Sequence, residues 1–289
     1  MVRTNQVVVI GASGFVAKNL RKYLSEKNIK LISISRSNFK QFKNETKIVL
    51  KKYDEKYILP KIQNSTALFH LVGIGKQSVK INFDMINVQF TDFIINMSKK
   101  AKIKKIIYAS GLGVNANSSN GYFISKYRAE QLIINSGLDY SIFRPSYIVG
   151  KDDLFTKSLK NQIKKGEINI PGSGLYSIQP IYIGDVVKLF FQSITQKEFQ
   201  NKILDLVGPD LLTFEQYVKF FSKKTTASIK KFSLEEAYHD AITNSKSLFG
   251  IDDLNILIGN FKGNHNKLQK LSKIKFHSVL ELLNSGRLL

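Results

Sequence analysis

The chain has 289 residues, 43% of them hydrophobic, and no cysteine. A chain of that length buries about three quarters of its unfolded surface without covalent staples, and its apolar fraction excludes a disordered chain. The missing thiols exclude disulfides, thiolate zinc sites, iron–sulfur ligation and a cysteine nucleophile.

The net charge of +22 raises nucleic acid, an anionic membrane surface or an acidic partner as candidates. The excess is uneven. Up to Gly150 there are 24 Lys and Arg against 8 Asp and Glu, and after it 20 against 14. No block of five or six like charges occurs, so there is no basic tail. The first strand begins close to Met1 and no apolar run approaches the ~20 residues of a membrane span. The expectation is a soluble, cytoplasmic protein that could lie peripherally on a membrane through its charge.

In chain order, Val7-Val8-Val9-Ile10 is a short apolar run with β-branched bias, the pattern of a strand buried on both faces. Phe15, Leu20, Tyr23 and Leu24 have helical spacing over 14–26. Strands are predicted at 31–35, 47–50 and 67–72, the last ended by Gly73. An amphipathic helix is predicted over about 82–101, a fifth strand at 106–109, a helix over 121–136 and a sixth strand at 140–143. Repeated βα units argue for an α/β, Rossmann-type, doubly wound parallel sheet with helices on both faces. Ligands then bind at the carboxyl ends of the strands. After Gly150 the regularity fades. A helix is expected over 153–165, a strand at 178–183, a helix at 186–196 capped by Asp185, and a strand at 204–207. Thr213 and Gln216 form a capping-box pattern, and the remainder is mostly helical. The boundary expected is a dinucleotide-binding domain over 1–150, with 178–207 returning to it, and a smaller pocket-forming region over 151–289.

Gly11-Ala12-Ser13-Gly14-Phe15-Val16-Ala17 lies between the first strand and the first helix. Gly11 permits a tight turn, Gly14 lets backbone approach a pyrophosphate, and Ala17 is small enough for close helix–strand packing. The motif has the strand-before, helix-after context that it requires. At the end of the second strand an NAD site usually carries Asp or Glu against the ribose 2′-hydroxyl. This chain has Ser35-Arg36-Ser37. A guanidinium suits a 2′-phosphate, and residues 1–52 hold 12 basic against 2 acidic side chains. NADP(H) is therefore the preferred cofactor, with NAD(H) the alternative.

Tyr122 and Lys126 are four residues apart, on one helix face. An ammonium near the phenol favours the phenolate, which would let Tyr122 act as acid or base on a hydroxyl or carbonyl.

The segments GASGFVA, LVG, YASGLGV, YFISK, FRPSYIVG and IQPIYIGDVV resemble an extended or atypical short-chain dehydrogenase/reductase of the NAD-dependent epimerase/dehydratase type. HLVGIG and VGPDLLTFEQY are most similar to the branch containing the nucleotide-binding accessory subunit of respiratory complex I and its prokaryotic relatives. The resemblance implies that Gly11, Ser13, Gly14, Phe15 and Val16 line the pyrophosphate. Arg36 and Ser37 would face the adenosine, with Asp54 near the adenine. Leu71, Val72 and Gly73 would flank the ribose. Lys126 would hold the nicotinamide ribose, and Pro145 and Ser146 would border the nicotinamide. Asn87 matches a helix asparagine that organises the site. The family's carbonyl-polarising Ser/Thr falls at Gly111, leaving Ser110 as the adjacent candidate.

Two function classes follow. One is an oxidoreductase or epimerase acting on a small or nucleotide-linked carbonyl or alcohol, with Tyr122, Lys126 and Ser110 as its catalytic residues and an unidentified small-molecule substrate. The other is a non-catalytic, cofactor-holding accessory or assembly subunit docked on a protein complex or anionic membrane. A nucleic-acid partner has no supporting motif. His70, His239, His265 and His277 lack metal spacing, so no metal is expected. His70 reads as a buried strand histidine satisfied by a neighbour.

Overall fold

The computed structural model describes residues 6–78, 80–223, 225–244 and 247–288. The first half runs β1 (Gln6–Ile10), α1 (Phe15–Glu26), β2 (Lys30–Ser35), β3 (Glu45–Val49), α2 (Glu55–Ile62), β4 (Ala67–His70), α3 (Phe90–Lys100), β5 (Lys105–Ala109), α4 (Gly121–Ile134) and β6 (Asp139–Pro145). The second half begins with β7 (Ile148–Val149), α5 (Leu154–Lys164), β8 (Glu167–Pro171), β9 (Ser177–Ile178), β10 (Ile181–Tyr182), α6 (Ile183–Thr195) and β11 (Lys202–Leu206). It ends with β12 (Leu212–Thr213), α7 (Phe214–Ser222), β13 (Ser228–Phe232), α8 (Leu234–Thr243), α9 (Ile251–Ile258), α10 (His265–Ser272) and α11 (Val279–Asn284).

Seven strands form one sheet in the order β11-β6-β5-β4-β1-β2-β3, and every pair in it is parallel. This is the Rossmann order extended by one strand, and its direction reverses between β1 and β4. The sequence of β1 shows why both faces are covered. Val7 and Val9 pack on one side with Leu20, Leu24 and helix α6, while Val8 and Ile10 pack on the other with Ile58, Ile94 and Met97. A second core joins Ile168, Ile170, Phe214, Tyr217 and Leu257 in the C-terminal region.

Four local expectations are corrected. The helix expected over 82–101 opens with a π-helical turn, Asp84–Gln89, before α3 begins. The stretch 178–183 holds two short strands rather than one, separated by Gln179-Pro180, and Ile183 already belongs to α6. Asp185 does not cap that helix. It lies within the first turn and accepts hydrogen bonds from the backbone N–H of His277 at 2.8 Å and from its ring Nδ1 at 2.9 Å. Helix α2 was not anticipated, because Pro60 lies inside it and its surroundings are charged.

Two other details, at Thr213 and His70, match the pattern reading. Thr213 and Gln216 form the capping box of α7. His70 is fully buried, with Nε2 2.8 Å from Thr91 Oγ1, and burial, reinforced by Lys126, pushes its pKa down to about 3. It is a neutral packing residue. Among the described residues no cluster of His, Asp and Glu could hold a metal, and no helix is long and apolar enough to cross a membrane.

Candidate functional site

The turn after β1 is built by backbone. Gly11 has φ +87°, and a Cβ there would lie 3.1 Å from the Leu71 carbonyl. Its N–H donates to Ile34 O at 2.9 Å, as does that of Ala12 at 3.1 Å. Gly14 is the extended residue before α1. The first turn therefore has no side-chain cap at the positive end of the helix dipole, an arrangement suited to phosphate. Ser13 Oγ lies 2.8 Å from Ser35 Oγ, and Ser35 Oγ accepts the Ser37 N–H at 3.2 Å, so the end of β2 is tied to the turn. Phe15 and Val16 are half-buried against the core around α6. Arg36 is exposed and makes no ion pair among the described residues. Asp54 has a structural occupation, since its carboxylate accepts the Tyr57 N–H at 3.3 Å as the cap of α2.

At the carboxyl ends of β4 and β5 is a cavity of about 180 Å³ lined by Leu71, Gly73, Ile74, Ala109, Tyr122 and Lys126. Val72 lines it too, and its side chain packs within 3.0 Å of where a Gly11 Cβ would stand. Lys126 is 4% exposed, and its Nζ donates to Ala109 O at 3.0 Å and Tyr108 Oη at 3.1 Å. Burial pushes its pKa down to about 8, with Glu130 pulling the other way. Asn87 is fully buried and clamps the loop after β4. Its Oδ1 accepts from Ile74 N at 3.0 Å, and its Nδ2 donates to Ile74 O at 3.1 Å and Ser125 Oγ at 2.9 Å. Gly73 leaves room beside both groups, for a Cβ there would lie 2.8 Å from Lys126 Nζ and 3.3 Å from Asn87 Oδ1. Bare backbone at Gly11 and Gly73, an uncapped helix N-terminus and a buried ammonium facing a cavity fit a dinucleotide's phosphates and ribose.

Tyr122 lines this cavity and also a second one of about 180 Å³ on its far side, bordered by Ser110, Gly111, Pro145, Ser146 and Phe261. The expected lowering of the phenol pKa is not found. Two of the three Lys126 donors go to Tyr108 and Ala109, and at Tyr122 burial acts alone and pushes the phenol up to about 12. Position 111, where the resemblance places a polarising hydroxyl, is filled by the phenol itself: a Cβ on Gly111 would lie 3.0 Å from Tyr122 Oη. Ser110 is 4% exposed, lines the second cavity, and its Oγ has no hydrogen-bond partner. Phe261, from the segment after α9, closes the cavity by stacking edge-on to Phe123 at 5.0 Å.

One group escaped the sequence reading. Arg21 is 1% exposed on the inner face of α1. Its Nε and Nη2 donate to Glu45 at 2.6 and 3.1 Å, its Nη1 donates to Ala12 O of the glycine turn at 2.7 Å, and the guanidinium stacks on Phe39 at 4.3 Å. Burial opposes ionisation of Glu45, but the Arg21 hydrogen bonds prevail and hold its carboxyl below the usual range. The signal was present, since a cation sits among Ala17, Leu20 and Leu24 on the face that should be apolar. Its partner lies on a distant strand, so spacing could not reveal it.

The comparisons with known proteins agree with this architecture. Residues 7–206 match the NAD dependent epimerase/dehydratase family. The mitochondrial NADH dehydrogenase [ubiquinone] 1 alpha subcomplex subunit 9 of Arabidopsis thaliana is 23% identical over 217 residues, 71% of this chain and 54% of that one. A dTDP-D-glucose 4,6-dehydratase of Dictyostelium discoideum is 23% identical over 248 residues, 68% and 57% of the two chains. This chain thus spans about half the length of the curated relatives it matches. Among solved structures, a nucleoside-diphosphate-sugar epimerase from Staphylococcus aureus superposes with a TM-score of 0.77 at 14% identity, covering 96% of this chain and 99% of its own. UDP-glucuronic acid 4-epimerase from Bacillus cereus, in complex with UDP-glucuronic acid and NAD, gives 0.74 at 15%, covering 98% and 97%. With its parallel sheet and glycine turn, the chain belongs to the NAD dependent epimerase/dehydratase family.

Proposed function

We propose that this protein holds NADP(H) as an accessory or assembly subunit of a larger, membrane-associated complex and does not turn over a carbonyl substrate at enzymatic rates. The observation that carries this reading is the contrast across Tyr122. On one side Gly73 and Lys126 line a cavity, with Asn87 and the Gly11 turn beside Gly73, an arrangement that supports cofactor binding. On the other, Gly111 offers no polarising hydroxyl and the phenol is pushed up to about 12.

In this reading the first turn of α1 takes the pyrophosphate, Lys126 the nicotinamide ribose, and Arg36 with Ser37 the 2′-phosphate. The nicotinamide, when bound, supplies hydride-transfer chemistry. Arg36 is exposed and without an ion pair among the described residues, which leaves its guanidinium available. The +22 charge supports docking on an acidic partner or an anionic membrane, and the complex I subunits among its relatives support the kind of assembly.

NADPH titration followed by nicotinamide fluorescence, together with a carbonyl and alcohol panel, tests the proposal. Tight NADPH binding without turnover, and salt-sensitive capture of a partner, are expected. Sustained turnover would overturn it. A second reading, an oxidoreductase or epimerase, is favoured by one observation: the unpartnered Ser110 Oγ shares its cavity with Tyr122. That reading requires turnover that Tyr122→Phe abolishes.

A further inference from the structure

A third cavity, of about 400 Å³, lies against the one beyond Tyr122: Tyr147 and Ile256 line both, and Leu154, Phe155, Leu248 and Phe249 wall the outer one. The inner space alone, about 180 Å³, falls short of the roughly 300–1,000 Å³ of small-molecule sites, and the two joined fall within it. The outer end is open and apolar, with Leu154 82% and Leu248 43% exposed. The inner end is lined by the hydroxyl-bearing residues Ser110, Tyr122, Ser146 and Ser177, and there the buried Ser110 Oγ lacks a partner. An unpaired buried hydroxyl is costly, and a ligand oxygen would satisfy it.

Charge narrows the occupant. Among the described residues, the only charged side chain lining either cavity is Asp253. A nucleoside diphosphate brings anionic phosphates, which need Arg or Lys partners once desolvated. These walls supply none, and the one carboxylate present would repel them.

We propose that the joined cavities bind an uncharged molecule with a carbonyl or hydroxyl at one end and an apolar chain at the other, of the class of a medium-chain ketone or alcohol. Its oxygen meets Ser110 Oγ, and its chain passes between Tyr147 and Ile256 toward Leu154 and Leu248. This site requires neither turnover nor the accessory role, and it is separate from the cofactor reading.

The test is ligand-observed NMR titration of the full chain with 2-undecanone, 2-butanone and UDP-glucose, with and without NADPH. Burial of added methylenes predicts that 2-undecanone binds at least about tenfold more tightly than 2-butanone, and a hundredfold excess of UDP-glucose should not displace it. Ile256→Trp, which narrows the shared wall, and Leu248→Lys, which places a charge at the exposed mouth, should each weaken 2-undecanone about tenfold or more and leave NADPH affinity unchanged. Ser110→Ala should cost the ketone roughly fivefold. The proposal is overturned if chain length makes no difference or if UDP-glucose displaces the ketone. It is equally overturned if Leu248→Lys, which should fold whatever happens to Ile256→Trp, leaves the affinity intact. Loss of NADPH binding in the unaltered protein would instead remove the cofactor reading and leave this site standing.

Discussion

The two sides of Tyr122 differ in how they are built. Toward β1 and β4 the surface is backbone, amide and ammonium, with Asn87, Ser125 and Lys126 each hydrogen-bonded to a neighbour. Toward the C-terminal region it is aromatic and aliphatic, closed by Phe261, and its buried Ser110 hydroxyl is unsatisfied. The hydrogen bonds of Asn87, Ser125 and Lys126 fix the shape of the first side before any ligand arrives. The opposite side has one orphan hydroxyl and an apolar path, so it specifies a ligand weakly and by shape. In the proposed reading, holding a cofactor and acting with it are separable, because the two cavities that Tyr122 lines are otherwise built from different residues.

The largest effect should come from breaking what anchors the cofactor side. Arg21→Met leaves the fully buried Glu45 carboxyl without its cation, and removal of one partner of such a pair costs about 3–5 kcal/mol. Urea unfolding should show that loss, and Arg21→Met combined with Glu45→Met should recover much of it. If the single variant is as stable as the parent, Arg21 does not organise the glycine turn.

Next is Lys126. Its folded pKa, about 8, lies below its unfolded value, so the unfolded state binds more protons between the two. Stability should therefore rise as pH increases from about 8 to about 10, by up to roughly 3 kcal/mol. Lys105 is shifted downward as well, chiefly by burial with Asp139 opposing. The comparison is therefore with Lys126→Met, in which the rise should shrink. An identical pH profile in the two proteins would place the ammonium in water.

A smaller effect is expected at Arg36. Arg36→Ala should lower the ratio of NADPH to NADH affinity about tenfold, the loss of one charge-assisted contact, with NADH affinity unchanged. An unaltered ratio would assign the 2′-phosphate to other residues. The smallest is at the dividing tyrosine. Tyr122→Phe removes only the phenol oxygen that occupies the space beside Gly111, and NADPH affinity should change less than about twofold. A large loss would mean that the two sides are not separable.

Much of this was legible before the structure, and the reason is range. The glycine turn, the strand periods and the Tyr122–Lys126 spacing are local patterns that chain geometry converts directly into position. Asn87 and Gly73 were reached through resemblance, and the structure sets them around Lys126. What could not be read is non-local. The Arg21–Glu45 pair joins α1 to β3 across 24 residues. Lys126 turns to Tyr108 and Ala109, partners on another strand, so its effect on Tyr122 could not be inferred from spacing on one helix. The outer cavity draws on 147–158, 214 and 248–257, which no period in the sequence connects.

The most direct test measures both sides of Tyr122 in one sample. The purified chain is titrated with NADPH by nicotinamide fluorescence, and the same solution is followed for NADPH consumption across a panel of ketones and aldehydes and for epimer formation from sugar nucleotides. The account predicts saturable binding that Lys126→Met weakens, with consumption and epimer formation no faster than in buffer. Rapid consumption or epimer formation that Tyr122→Phe abolishes would contradict it.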